Sequence, residues 1–142
     1  MHQFSRKSKK EIKSCHDDLG VILNTAIKVS DIDFGVSQGH RTLEQQRDFY
    51  KRGLSKIDGL NSLSKHNYNP SMAVDIYGYV NGKISYDYND MCYLAGVITS
   101  CAKILKNSGI IKNNIRWGGN WDMDGVIIKD QSFQDLCHFE LV

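Results

Sequence analysis

Six residues with chemistry to offer stand in two groups: Ser64, His66 and Asp75 in mid-chain, and Asp135, His138 and Glu140 among the last eight positions. His66, Asp75 and His138 are two imidazoles and a carboxylate, a set that suits a hydrolytic zinc ion with three protein ligands and a fourth position open to water. Only a fold that lays the C-terminal stretch against the middle of the chain can assemble that set. No other feature of the sequence constrains the architecture as much.

Polar turn residues and the chain's one proline, Pro70, separate His66 from Asp75, which opens an apolar, strand-like run to Val80. His66 is therefore expected on a loop and Asp75 on a strand, two settings that can converge on one ion. The run Phe133 to Val142 ends in a short apolar alternation. Side chains on a strand alternate faces, so His138 and Glu140 should point one way and Cys137, Phe139 and Leu141 the other. Asp135 lies at odd spacing from His138 and joins its face only if the backbone turns between them. Each residue alone also suits a structural role: a histidine near an apolar strand is commonly hydrogen-bonded, and a carboxylate beside a turn commonly accepts backbone N–H groups.

At 142 residues the chain suits a single domain, residues 1–142, with a core of its own. No apolar run reaches the ~18 residues of a membrane span, so no membrane insertion is expected. Arg6, Lys7, Lys9, Lys10 and Lys13 crowd the N-terminus with no apolar stretch behind them. That is not the pattern of a secretory signal, and synthesis in the cytoplasm is expected. Cys15, Cys92, Cys101 and Cys137 show no Cys-x-x-Cys spacing and read as free thiols. Cys137 adjoins His138 but should turn to the core, which excludes it as a ligand. A formal charge of +2, with the basic residues gathered in one stretch, gives no footprint for nucleic acid.

Taken in order, Ser8-x-x-Glu11 reads as a capping box that opens an amphipathic helix running to about residue 28, with Asp17 and Asp18 on its solvated side. Asp31 to Ser37 alternates as a strand, and Thr42-x-x-Gln45 caps a second helix carrying Leu43, Phe49 and Tyr50. Arg41 falls between them, where an arginine can hold a carboxylate or a polarised carbonyl by paired N–H groups, or simply lie on the surface. A Gly-, Ser- and Asn-rich loop over residues 53–63 delivers Ser64 and His66. Asn81-Gly82 makes a tight hairpin after Asp75. Asp87 or Asn89 caps a third helix with Met91, Leu94, Ala95, Ile98, Cys101, Ala102 and Leu105 on its buried side, closing near Gly109. Ile110 to Trp117 leads into a further strand, and Trp117 and Trp121 flank Gly118-Gly119 as a cleft wall or a core turn. These elements describe an α+β domain, a small antiparallel sheet with helices packed against it.

Ser64-x-His66, Ala73-x-Asp75 and Asp135-x-x-His138-Phe139-Glu140-Leu141 resemble the zinc-binding signature of the D-alanyl-D-alanine/L-alanyl-D-glutamate peptidase family. The Asp-x-x-His ending and the short chain are most similar to the L-alanyl-D-glutamate endopeptidases of phage endolysins. The likeness extends to Gly39-His40-Arg41-Thr42-Leu43-Glu44-Gln45-Gln46 and Arg116-Trp117-Gly118-Gly119-Asn120-Trp121, nearly the whole chain. Two departures stand out. The step from His66 to Asp75 is longer than the family's, with Asn69-Pro70-Ser71 where a glycine usually stands, and Asn120 replaces the more usual aspartate.

The resemblance implies the Hedgehog/DD-peptidase-like fold, Zn2+ held by His66, Asp75 and His138, and Asp135 as general base. It also implies that Arg41 binds substrate and transition state, and that Ser64 touches substrate. Glu140 shares the expected face of His138 and would orient that ligand from behind, or act as the base itself. The implied substrate is the stem peptide of peptidoglycan, cut between L-Ala and D-Glu by a monomeric phage lysis protein that reaches the wall after its release from the cytoplasm. No separate wall-binding module is expected. A D-Ala-D-Ala carboxypeptidase or dipeptidase of the same fold, and a zinc-stabilised wall-binding domain without turnover, are the alternatives.

Overall fold

Ser5, three residues ahead of the expected cap, starts the first helix. Its Oγ accepts the Ser8 N–H at 3.2 Å and opens α1 (Arg6–Lys13). Ser8 is buried instead, and its Oγ accepts the Val36 N–H at 3.0 Å. The structure is a computed structural model that describes residues 1–142, and it divides the expected first helix in two. At Ser14–His16 the chain leaves the helix to pair with Ser71, whose N–H donates to the Ser14 carbonyl and whose carbonyl accepts the His16 N–H. His16 Nδ1 then caps α2 (Asp17–Val29) by accepting the Asp18 N–H. Apolar periodicity runs through the break because Ile12, Cys15, Leu19 and Ile22 all feed one core.

Asp17 is exposed as expected, but Asp18 is not solvated. Its Oδ2 accepts the N–H groups of Lys112 and Asn113 and the Asn113 side-chain amide, each within 3.0 Å. A carboxylate that satisfies three donors is worth more inside the fold than in water, and this one pins the loop after the last helix to the start of α2.

The remaining elements are β1 (Asp33–Gln38), α3 (Leu43–Lys51), β2 (Ala73–Val80), β3 (Lys83–Ser85), α4 (Tyr88–Asn107), β4 (Ile115–Gly118) and β5 (Asp135–Leu141). The Thr42–Gln45 capping box is present in full on α3, yet Leu43 and Tyr50 lie exposed and Gln46 is the residue α3 buries. Asn81 and Gly82 both take positive φ, at 52° and 76°, the backbone that a two-residue hairpin between right-twisted strands requires. Asp87, not Asn89, caps α4.

The sheet is five-stranded and antiparallel, in the order β1-β2-β5-β4 with β3 added to β2. Val74, Ile76, Phe139 and Leu141 are fully buried on one face, against α4, on which α2 packs in turn. Asp75 stands opposite His138 in the β2–β5 ladder, and Glu140 stands opposite both Ala73 on β2 and Arg116 on β4. The other face of the sheet therefore carries Asp75, His138, Glu140 and Arg116 together. No helix is long and apolar enough to cross a membrane.

Candidate metal centre

His66 reaches this polar face from a single 3-10 turn, Lys65–Asn67, rather than from an irregular loop. Ser64 builds the turn: its Oγ accepts the His66 N–H, and its own N–H donates to Asn67 Oδ1. The turn is tied to the β1–α3 connection by the Arg41 N–H donating to the His66 carbonyl at 2.8 Å, and by the Asn67 amide on the Arg41 carbonyl. His66 is 2% exposed, and its Nδ1 lies 2.7 Å from the Gly39 carbonyl. A carbonyl can only accept, so Nδ1 carries the proton and Nε2 presents a bare lone pair.

That Nε2 is buried without a hydrogen-bond donor, 3.3 Å from Asp75 Oδ2. An imidazole nitrogen and a carboxylate oxygen at this distance are satisfied by a proton or a metal ion between them. His138 completes the group. Its Nε2 is 2.8 Å from Glu140 Oε1 and its Nδ1 is 3.2 Å from Asp75 Oδ1, so the Glu140 contact leaves Nδ1 for the shared space. One donor atom from each of His66, Asp75 and His138 lies within 4.8 Å of the others. The arrangement fits a divalent metal ion: three convergent ligands, each histidine held through its other nitrogen.

Burial alone would raise the Asp75 carboxyl and lower the His138 imidazole, but their contacts win in both cases. The two histidines hold Asp75 well below the usual carboxylate range. Asp75 and Glu140 lift His138 to about 9. Glu140 is lowered to about 2, against its burial, by His138 and by Arg116, whose Nη2 is 2.7 Å from Oε2. The raised His138 pKa favours a proton on Nδ1 against Asp75 Oδ1, the same pull of the carboxylates that would favour a metal cation there.

Asp135 stands at the start of β5, where the β4–β5 register slips between Trp117 and Gly118. This irregularity is the backbone turn that its odd spacing demanded. Burial and the nearby Asp75 charge push its carboxyl up, while His138 acts in the opposite sense. Cys137 does not turn away into the core as the alternation predicted: it is half-buried at the edge of the site, because the β5 irregularity keeps it beside Asp135, and its thiol, held protonated by burial and by the Asp75 and Asp135 charges, donates to Asp135 Oδ1 at 3.4 Å.

Arg41 is buried at the site, not on the surface. Gln38 Oε1 accepts from its Nε and Nη2, Gln46 Oε1 accepts from Nη1, and Phe49 stacks 4.4 Å from Cζ. So braced, the guanidinium sits 3.6 Å from Asp75 Oδ2. The two tryptophans divide the readings open for them. Trp117 is buried in the core, whereas the Trp121 ring stands 5.8 Å from the His138 ring and stacks on Phe133 at 5.9 Å, walling the site. Lys56 Nζ lies over the far side of that wall, 4.3 Å from the Phe133 centroid. A second group of carboxylates, Asp122, Asp124 and Asp130, is fully solvent-facing.

Sequence reasoning did not find Arg116, Gln38, Gln46 or the Gly39 carbonyl as parts of this site. Arg116, Gly39 and Gln46 lie within the motifs that carried the family likeness, but their roles depend on strand register, helix packing and loop approach, which no local pattern reports.

A sequence model of the family described as phage L-alanyl-D-glutamate peptidase matches residues 1–142. The L-alanyl-D-glutamate peptidase of Escherichia phage T5 is 29% identical over 123 residues, covering 87% of this chain and 84% of that protein. The crystal structure of Serratia marcescens L-Ala D-Glu endopeptidase ChiX superposes with a TM-score of 0.75 at 24% identity, over 100% of this chain and 90% of that one. That second likeness is one of fold.

Proposed function

The chain belongs to the phage L-alanyl-D-glutamate peptidase family, and from that premise we propose that it is a zinc-dependent endopeptidase that hydrolyses the L-Ala–D-Glu bond of the peptidoglycan stem peptide. One observation carries the reading: two histidine lone pairs and a carboxylate oxygen converge, with His66 Nε2 buried and lacking any donor. His66 Nε2, Asp75 and His138 Nδ1 would hold the zinc, which supplies Lewis acidity at the scissile carbonyl and a water acidified to a pKa of about 7.

The chain's own groups do the rest. Asp135, its carboxyl raised by burial, takes the proton from the attacking water and delivers it to the leaving amine. Arg41, braced by Gln38 and Gln46, keeps its positive charge beside the reacting carbonyl and steadies the oxyanion as it develops. Ser64 sets the turn that aims His66, and the family likeness is what supports a contact between it and the substrate. Glu140 orients His138. Trp121 and Phe133 exclude water from one side of the cleft and offer the stem peptide an apolar surface. The biological setting that fits is host lysis, with the enzyme reaching the wall from the cytoplasmic side.

Digestion of purified peptidoglycan tests the proposal. New amino-terminal D-Glu with carboxy-terminal L-Ala is the expected product. Release of free D-Ala would make the protein a carboxypeptidase of the same fold, and stoichiometric zinc with no new terminus would make it a binding domain.

A further inference from the structure

Glu140 is a buried carboxylate, and both of its oxygens are engaged. Oε1 meets His138 Nε2 at 2.8 Å and Oε2 meets Arg116 Nη2 at 2.7 Å. The two oxygens of a carboxylate are rigidly related, so a cation that anchors one also aims the other. We propose that Arg116 is a positioning residue of the metal centre: it fixes the Glu140 carboxylate, which holds the His138 ring so that Nδ1 and not Nε2 faces the ion.

Three further features support this assignment. Arg116 and Glu140 are directly opposed in the β4–β5 ladder, so the ion pair is set by backbone register and not by a chance surface encounter. Arg116 Nε is buried without a partner, which leaves the guanidinium held only by Glu140 and by a long contact of 3.5 Å from Nη1 to the Trp121 carbonyl. Its Cζ lies 5.8 Å from the Trp121 ring, the same ring that stands 5.8 Å from His138. One side chain thus touches both the wall of the cleft and the carboxylate behind the ligand. Arginine suits this place because its planar fork keeps direction where an ammonium is only a point of charge.

The inference rests on the zinc reading above, and the test reads zinc binding, not hydrolysis. Competition with a chromogenic chelator gives the zinc affinity of the wild type, Arg116→Met, Arg116→Lys, Glu140→Ala and the Arg116→Met/Glu140→Ala double variant. Loss of a partner behind a metal-ligating histidine typically weakens binding by about 10-fold to 100-fold. Arg116→Met should fall at the lower end of that range, about tenfold, and Arg116→Lys, which keeps the charge but not the directed fork, should recover part of it. The double variant should bind no worse than Glu140→Ala alone, because Arg116 acts through that carboxylate. In proton NMR of the zinc-loaded wild type, the His138 Nε2–H should exchange slowly with water, and Arg116→Met should broaden or abolish that resonance.

Unchanged affinity with the resonance intact in Arg116→Met would overturn the proposal. So would losses that multiply in the double variant, or an Arg116→Lys protein as weak as Arg116→Met. If Arg116→Met does not fold, Arg116→Lys and Arg116→Gln carry the same comparison. A wild type that binds no zinc would instead sink the proposed function, so the two failures are told apart.

Discussion

Raising the pH of the metal-free protein should weaken the fold at one identifiable place. His138 titrates at 6.5 in an unfolded chain and at about 9 in the folded one, because Asp75 and Glu140 surround its ring. A group whose folded pKa is raised contributes stability that is fully present below the unfolded value and is lost as pH rises through the folded value. The displacement from 6.5 to about 9 corresponds to about 3 kcal/mol at 1.36 kcal/mol per unit. Asp75 and Glu140 are held down partly by these same His138 contacts, which are counted once, and partly by His66 and Arg116; their stabilisation is present above the unfolded carboxylate range and is lost at strongly acid pH. Metal-free protein should therefore be most stable at weakly acid pH, and should lose about 3 kcal/mol, roughly 10 °C in melting temperature for a domain of this size, between pH 5.5 and pH 9.

On the proposed zinc reading the ion takes the place of the proton, and added zinc should reverse the trend. Its apparent affinity should climb about tenfold per pH unit up to the His138 pKa, or about 100-fold from pH 6 to pH 8. The assay is thermal unfolding across pH, with chelator and with zinc, on the wild type and on His138→Asn, which removes this titration and leaves the others. Parallel curves for the two proteins in chelator, or a zinc affinity flat from pH 6 to pH 8, would refute the argument.

Three further outcomes follow from the geometry. Asp135→Ala should keep its full complement of zinc while peptide hydrolysis falls by about 100-fold or more, as loss of a general base does; zinc analysis beside a muropeptide assay checks both halves. Asp18→Ala leaves the Lys112 and Asn113 N–H groups inside the fold without their acceptor and should cost about 1–3 kcal/mol in urea unfolding, with zinc affinity unchanged. Gly118→Ala drives a new Cβ into the Asp135 carbonyl, so it should displace the start of β5 and lower activity more than zinc binding, a difference that the same two assays resolve.

The parts of the fold that local chemistry determines were legible. Asn81-Gly82 is a hairpin turn wherever two strands flank it, and the C-terminal alternation placed His138 and Glu140 on one face and Phe139 and Leu141 on the other, as the structure has them. His66, Asp75 and His138 were recognisable by residue type and by likeness to a known signature. What was hidden depends on partners far along the chain. The break between α1 and α2 is made by Ser71, and the burial of Asp18 by Lys112 and Asn113. The capping box read at Ser8 was one turn late because that hydroxyl serves Val36. The pairing of Arg116 with Glu140 and the turn at Asp135 are both consequences of β4–β5 register, including the slip at Gly118.

β5 follows every other strand in sequence yet lies between β2 and β4 in the sheet. The segment that brings His138 is also the one that inserts Phe139 and Leu141 into the core and joins the two halves of the sheet. On the proposed reading, loss of this one strand would open the interior and remove a metal ligand together, so damage to the packing of β5 and damage to the metal centre could not be separated.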